Sequence, residues 1–533
     1  MKSEFNLIDE PWILVRTADC DIHEVSMKDV FLYAHNYVEL AGETKTQDIA
    51  ILRLLLAMMY TVFSRYDTDG QESELRFSDK WKKIWNMGYI PSKPFEKYFE
   101  TWKDRFFLFD EKYPFHQTPV VKGKTDPVST AKLIGSLFES GNKPRLFSER
   151  INDGRELEYS EAARWLIHLN GFDDIAAKKP TPKKAWNSKL GLIAIKGKNL
   201  FETIMLNFVA NVKDQNEIPV WERELPDEPY NRLIAVPDNQ AELLTLRSRS
   251  LYLYRENDKI TGYYISGGDY FEQEDVYSEQ MTLWREEKDK KAAAPKFKPA
   301  RHDTAKKAWQ EFGAVAAVPV LVNNNSSEQT PGVIMWLSYL SDRRRNILDK
   351  SYRARIMTAS VIYDYGQATS LPVIDYISDG LTFHLQLLLE AGEVWRRKII
   401  DEIKKCEDAA KKVWTLSVEL QKAAGASGDK ISGEEAKMQF YDRIDRPFRI
   451  WLSELDPENL DIEEYPKKLE DEVYDIAGSF GGELAAQNGS GAIFGRRGNS
   501  DENKKLMSTA SALNIYIAAL KKIFNKEGGE KNG

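Results

Sequence analysis

The chain has 533 residues, more than one hydrophobic core ordinarily supports, so two or three domains are expected. With 42% hydrophobic and 30% charged residues it falls outside the disordered class. Its two cysteines, Cys20 and Cys406, stand far apart with no CxxC spacing, which disfavours a disulfide framework or a thiolate zinc site, and a formal net charge of −8 argues against a protein that coats nucleic acid unaided.

The first ten residues, MKSEFNLIDE, lack a basic region followed by an apolar core, so no secretory signal is expected and the cytoplasm is the default. Leu14-Val15-Arg16 has strand character, and residues 46–63 predict a buried helix. The most apolar part of that helix, residues 49–63, contains Arg53 and is too short to span a bilayer, so no membrane partner is expected. Phe95, Tyr98, Phe99, Trp102, Phe106 and Phe109 recur at helical spacing and predict one aromatic face, read as core rather than as a base-stacking platform. Residues 243–254 and 260–266 alternate apolar and polar side chains about Asn257-Asp258, the pattern of a hairpin. Residues 292–299, rich in Ala, Pro and Lys, predict an exposed loop.

The last 150 or so residues change character. Ile399, Ile403, Cys406, Ala410, Val413, Ser417 and Leu420 form a heptad-like seam, followed by a Gly/Ala/Ser-rich break at residues 421–433. Met438, Tyr441, Phe448, Trp451 and Leu455 form a second amphipathic stretch with a kink expected at Pro447. Tyr465, Leu469, Val473, Ile476, Phe480 and Leu484 form a third; Leu506, Ala510, Leu513, Ile517, Leu520 and Phe524 form a fourth. The expected fold class is therefore α+β, a mixed α/β domain over residues 1–372 followed by a four-helix bundle over residues 373–533.

Phosphates feel charge only within about a Debye length, ~8–10 Å, so local balance matters more than the total. Residues 176–198 hold seven lysines (178, 179, 183, 184, 189, 196 and 198) and no acid. Basic residues outnumber acidic ones over 285–307, and Arg343-Arg344-Arg345 is followed by Lys350, Arg353 and Arg355. Each run alone is an ordinary solvated face; three of them, set against the acidic stretch 456–475, predict a polarised surface.

Catalytic motifs are missing. The six histidines show neither HExxH nor HxH spacing, and no Walker A sequence is present. His302-Asp303 is a lone HD pair, ordinarily a loop feature. Gly489-Ser490-Gly491 lies in a glycine-rich connector between predicted helices and is no nucleophile elbow. No cofactor and no metal site are expected, and any reaction belongs to partners.

Five segments carry a further signal: Phe5-Asn6-Leu7-Ile8-Asp9-Glu10-Pro11-Trp12-Ile13, Tyr113-Pro114-Phe115-His116-Gln117-Thr118, Ala185-Trp186-Asn187-Ser188-Lys189-Leu190-Gly191 running into Leu200-Phe201-Glu202-Thr203, Ile218-Pro219-Val220-Trp221-Glu222-Arg223, and Leu244-Thr245-Leu246-Arg247-Ser248-Arg249. In this order they resemble the large subunit (CasA family) of the type I-E CRISPR surveillance complex, Cascade. Likeness extends from residue 5 to about residue 375, and the helical tail is similar to the family's C-terminal bundle. The resemblance implies a non-enzymatic subunit that binds guide RNA and the other Cascade subunits. It implies inspection of double-stranded target DNA for a short protospacer-adjacent motif (PAM), opening of the duplex for R-loop formation, and recruitment of a separate helicase–nuclease in antiviral defence. Base pairing then reads sequence while protein reads a short duplex motif and starts melting.

By resemblance, a glutamine wedge at the duplex end maps to Gln367, next to Gly366, where the plain alternative is a turn before the first bundle helix. A glycine-rich loop that approaches the minor groove maps to Ala176, Ala177, Lys178 and Lys179; here alanines replace the glycines, which alters the backbone freedom available for motif reading. A minor-groove lysine maps equally to Lys259, Lys296 or Lys298. A guide- and partner-contacting loop resembles residues 142–150, with Asn142, Lys143, Arg145, Phe147, Ser148 and Arg150; Phe147 is either a stacking residue or a core anchor. Arg496 and Arg497 in the bundle lie in a stretch able to guide DNA or to be a solvated turn. Two other functions stay open at this point, a purely architectural ribonucleoprotein subunit and a metal-dependent nuclease using His302-Asp303.

Overall fold

The structure, a computed structural model, describes residues 4–124, 126–134, 156–173, 184–210, 216–227, 232–273, 276–287, 296–316, 329–342, 347–349, 351–363, 373–426, 431–487 and 508–526. It divides into two compact units, one of Met1–Ala305, Ala317–Leu348 and Arg355–Gly380, the other of Lys306–Ala316, Asp349–Ala354 and Leu381–Gly533.

The first unit is built on the helix Lys45–Arg65, N-capped by Thr44, whose hydroxyl accepts from the Gln47 N–H at 3.2 Å. This helix is long and apolar enough to cross a bilayer, exceeding the apolar stretch expected from sequence, but its apolar window is buried inside the protein. At its centre Arg53, 1% exposed, forms a two-pronged ion pair with Glu279 at 2.8 and 2.9 Å. Trp186 Nε1 also donates to Glu279, at 2.9 Å. Burial alone raises the Glu279 carboxyl, but Arg53 and the further donors outweigh it and hold the group below the usual carboxylate range.

Strand Ile13–Thr17 lies between Ile22–Val25 and Tyr37–Leu40. The predicted aromatic face splits. Helix Ser92–Trp102 buries Phe95, Tyr98 and Phe99, but Phe107–Phe109 is a strand paired with Glu4–Asn6. The cause is tertiary: Asn6 Nδ2 donates to Lys103 O at 3.0 Å and Leu7 N–H to Phe106 O at 2.9 Å, drawing the chain out of helical register. The hairpin forms from Arg249–Glu256 and Lys259–Gly267, with Asn257 and Asp258 at φ 49° and 61°, the left-handed pair of a tight I′-type turn. It begins later than the alternation suggested, because residues Gln240–Leu244 form a helix capped by Asn239, whose side chain accepts from Glu242 N–H at 2.9 Å. Lys296–Pro299 also departs from the expected loop: it is a strand paired with Trp284–Glu287 and anchored by buried Phe297.

In the second unit the helices Glu393–Ala423, Glu434–Glu454, Tyr465–Gln487 and Thr509–Ile523 form the four-helix bundle, and the second helix continues through Pro447. Residues of Lys306–Ala316 join it: Trp309 stacks on Phe448 at 4.2 Å and its Nε1 donates to Asp445 at 3.0 Å. The predicted seam of the first helix is buried from Ile399 to Val413 and at Leu420. Met438, expected in the second stripe, is exposed. The fourth helix buries Leu520 and Phe524 of the predicted stripe, but Ala512 and Tyr516 complete its inward face, while Leu513 and Ile517 are half-buried and Ala510 is exposed. Tyr516 selects that face by filling the notch at Gly481 and donating its hydroxyl to Ala477 O at 2.7 Å. A Cβ at Gly481 would lie 2.3 Å from the Tyr516 ring. Gly481→Ala is accordingly expected to destabilise the bundle by about 1–3 kcal/mol, measured as a lower denaturant midpoint of its unfolding transition.

Candidate nucleic-acid interface

Gln367 and Gly366, the Ala176–Lys179 stretch, the loop residues Asn142, Lys143, Arg145, Phe147, Ser148 and Arg150, and bundle residues Arg496 and Arg497 all lie outside the described residues. The structure describes the anchors on either side of them.

Residues 174–183 leave the end of helix Tyr159–Phe172 and return at Lys184. The last carbonyls of a helix lack intrahelical partners, and here they are taken up by the described residues on either side of 174–183 and by Arg249. Asp173 O accepts from Ala185 N–H at 3.2 Å and from Arg249 Nη2 at 2.6 Å. Arg249 Nε also pairs with the Asp173 carboxylate at 2.5 Å, with the arginine side chain 2% exposed. The Arg249 N–H donates to Asn170 Oδ1 at 3.1 Å, and Trp186 N–H donates to Ser248 Oγ at 3.1 Å. Arg249 belongs to one of the family-like segments, so its appearance in that motif is explained by this clamp.

The residue that precedes 364–372 is bonded to the same helix end. It closes the strand Arg353–Tyr363, whose Ile356–Ala359 part pairs with Leu192–Ile195. Buried Tyr363 donates its hydroxyl to Phe172 O, the residue before Asp173. The Arg301 guanidinium lies 4.8 Å from the Tyr363 ring centroid, and its Nε donates to Ser188 O. On the far side, Tyr376 meets His168 edge-on at 5.7 Å, and His168 stacks on Phe172 at 4.7 Å. Phe172, Ser188, Tyr363 and Tyr376, which flank both predicted DNA-reading segments, are thus joined through a few side chains. No sequence pattern marked Tyr363, and Arg301 was marked only as one of the basic residues of 285–307.

The predicted guide-contacting segment has a simpler root. On its C-terminal side Leu157 and Ile260 exchange backbone hydrogen bonds at 2.9 and 3.0 Å, and on its N-terminal side Ile134 is buried. The three lysine candidates all have an acidic neighbour: Lys259 pairs with Glu158, Lys298 with Glu287 at 3.5 Å, and Lys296 sits opposite Glu287 in the strand ladder. Arg353 and Arg355, counted in a phosphate-facing run from sequence, instead donate to the carbonyls of Ser453 and Gly197.

The other family-like segments are equally structural. Trp12 Nε1 donates to Leu7 O at 2.9 Å. Gln117, fully buried, donates to Leu108 O at 2.6 Å and accepts from Leu253 N–H at 2.8 Å, tying two strands together. Glu222 pairs with Arg65 at 2.8 Å and accepts from the Tyr98 hydroxyl at 2.6 Å.

His302, Asp303 and the two buried histidines each have structural contacts. His302 Nε2 lies 2.9 Å from Leu192 O, and Asp303 accepts from Ala305 N–H at 3.1 Å. Burial, with Arg247 nearby, drives the His116 imidazole down to about 3; burial alone does the same to His168. Both are neutral at pH 7, His116 held by Asn170 Nδ2 at 3.3 Å and His168 by Thr46 Oγ1 at 3.0 Å. Among the described residues, no three His, Cys, Asp or Glu side chains are grouped to hold a metal ion.

Residues 6–477 match the family profile of CRISPR-associated protein Cse1 (CRISPR_cse1). The chain is 30% identical over 224 residues to the CRISPR-associated protein CasA/Cse1 of Thermus thermophilus, a match spanning 41% of this chain and 42% of that protein. It resembles the crystal structure of Thermobifida fusca Cse1 at 25% identity and TM-score 0.82, with 98% of each chain covered. A chain in a solved CRISPR RNA-guided surveillance complex has the same fold at 14% identity and TM-score 0.69, covering 97% of this chain and 100% of that one.

Proposed function

The chain belongs to the CRISPR-associated Cse1 family, and from that premise we propose that it is the PAM-reading large subunit of a type I-E Cascade complex. In this reading it contacts guide RNA and the neighbouring subunits, engages double-stranded target DNA, starts its unwinding and helps recruit the helicase–nuclease. It supplies no chemical step of its own and works in the cytoplasm. Residues 1–372 form the DNA-reading domain and residues 373–533 the bundle that contacts DNA and partners, through Arg496 and Arg497.

One observation carries the proposal. The stretches matched to minor-groove reading, 174–179, and to the glutamine wedge, 365–370, lie within residues 174–183 and 364–372, whose flanking residues are joined through the Tyr363–Phe172 hydrogen bond. Reading a groove and separating the first base pair are contiguous acts on one duplex, so their agents need a common mount. Lys184 and Lys189 follow segment 174–183 closely in sequence and Arg301 lies over the Tyr363 ring, which supports a basic surround in an acidic chain. Lys178 and Lys179 add phosphate contacts, and the alanines at 176 and 177 permit close approach to the groove. The planar amide of Gln367 stacks beneath the opened pair. Asn142, Phe147 and Ser148, with Lys143, Arg145 and Arg150, face the guide and partner subunits.

The test is target binding by the guide-RNA complex assembled with and without this chain, on duplexes with intact or scrambled flanking motifs. Affinity and motif discrimination are expected only with the chain present. In that complex Gln367→Ala is expected to weaken binding to intact duplex about 5- to 30-fold, the equivalent of one stacking step of ~1–2 kcal/mol, with pre-melted targets largely rescued. Unchanged binding without the chain would leave it an architectural subunit.

A further inference from the structure

We propose that Arg16, Lys45 and Lys196 form a further DNA contact, a basic patch that holds the phosphate backbone of the target duplex without reading its sequence. It rests on the functional reading above in one respect, that the chain engages duplex DNA. The three side chains come from distant parts of the sequence: Arg16 from strand Ile13–Thr17, Lys45 from the first turn of the core helix, and Lys196 from just beyond strand Leu192–Ile195. All three converge on the Glu39 carboxylate, with Arg16 Nη1 at 3.5 Å, Lys45 Nζ at 4.0 Å and Lys196 Nζ at 2.6 Å. Burial raises the Glu39 carboxyl, but Lys196, Lys45 and Arg16 outweigh it and hold the group below the usual carboxylate range. Sharing one carboxylate keeps the three cations within about a Debye length, ~8–10 Å, of one another, so they act on a phosphate together.

The patch presents its positive charge outward. Arg16, Lys45 and Lys196 are 41%, 34% and 37% exposed, whereas Glu39 and Asp48, the acids they pair with, are 18% and 4% exposed. Glu24 and Glu43, on the flanking strand and turn, pair with buried Arg164. Cations outside and their counter-charges inside suit a phosphodiester chain, which carries closely spaced negative charge along its length. The place of the patch in the fold favours duplex DNA as its occupant. Lys196 N–H donates to Arg355 O at 2.7 Å, and Arg355 lies near the start of the strand that ends at Tyr363. From Arg355 to Tyr363 the strand runs about 26 Å at the usual rise per residue, roughly eight base-pair steps. A duplex engaged at the Tyr363 end of that strand is long enough to reach the patch.

The decisive experiment titrates salt against target binding by the whole surveillance complex, on duplexes with intact or scrambled flanking motifs. Arg16→Gln and Lys196→Gln are each expected to weaken binding about 3- to 10-fold and to lower the slope of log affinity against log salt by about one. Intact and scrambled motifs lose equally, because phosphate contacts carry no sequence information. The double variant is expected to lose about two units of slope, one for each contact. Glu39→Gln runs the other way: without the carboxylate that competes for the three cations, binding is expected to tighten about 2- to 5-fold and its salt slope to steepen. A cluster that served stability alone would not produce that gain. An unchanged slope in the double variant, a loss confined to the intact motif, binding no tighter in Glu39→Gln, or weaker guide-RNA retention with unchanged duplex binding would each overturn the patch and leave the functional reading standing. If the complex lacking this chain binds duplex as tightly as the complete one, the functional reading itself fails and takes the patch with it.

Discussion

Glu279→Ala is expected to destabilise the first unit by about 3–5 kcal/mol, because it leaves the Arg53 guanidinium uncompensated in the middle of the core helix. The loss is the desolvation of a charge that no water reaches. It reads as a lowered midpoint in thermal or denaturant unfolding of the chain. Arg53→Met alone is expected to cost a similar amount, since the Glu279 carboxylate then stands unpaired. Arg53→Met with Glu279→Leu removes both charges and recovers part of the loss. Recovery stays partial because Trp186 Nε1 and the Met281 N–H, at 2.9 and 3.1 Å from the carboxylate, lose their acceptor. A double variant no more stable than either single one would show that packing, and not charge, sets the cost. The pH dependence has a fixed sign. Glu279 is held below its unfolded value in the fold, so the unfolded chain binds more protons as the solution is acidified. Its contribution is complete above the usual carboxylate range and is lost as pH falls through the depressed folded value. Glu279→Gln should flatten that part of the acid limb.

Arg249→Ala is the second large effect, expected at about 2–4 kcal/mol, since it leaves the mostly buried Asp173 carboxylate without its cation and deprives Asp173 O of a donor. Arg249→Lys separates stability from function. Lysine keeps the charge but cannot hold carboxylate, carbonyl and the Ser248 O together as the guanidinium fork does. This variant is expected to retain most of the fold and to lose about 3- to 10-fold in discrimination between intact and scrambled flanking motifs, measured in the assembled complex. Wild-type discrimination by a folded Arg249→Lys complex would detach the clamp from motif reading.

Much of this architecture was legible in the sequence. The apolar run around Arg53 and the heptad-like seam from Ile399 encode buried helices directly, because one face of a 3.6-residue period must leave water. Asn257-Asp258 marked its turn because these two residue types tolerate positive φ. The ordered segments around Trp12, Gln117, Trp186, Trp221 and Arg249 identified the family. Their physical role could not be read: each proves to be a hydrogen-bonding or packing device, and the segments matched to DNA reading lie between or beyond them. The fourth bundle helix shows the same limit on a smaller scale. Its periodicity marks Leu520 and Phe524, but that Tyr516 joins them inside follows from the Gly481 notch on another helix.

By itself, then, the sequence determined the core helix, the hairpin turn, the bundle helices and the family, since these follow from local periodicity, turn chemistry and short ordered motifs, but not that Phe107–Phe109 and Lys296–Pro299 are strands or that Gln240–Leu244 is a helix. Tertiary structure alone decided that Tyr363 meets Phe172 across 191 residues and Arg301 meets Ser188 across 113. A tyrosine hydroxyl and a helix-end carbonyl carry no local sign of one another. Their pairing arises where a core strand and a helix end are brought together by burial, which leaves a polar group at each that must find a partner.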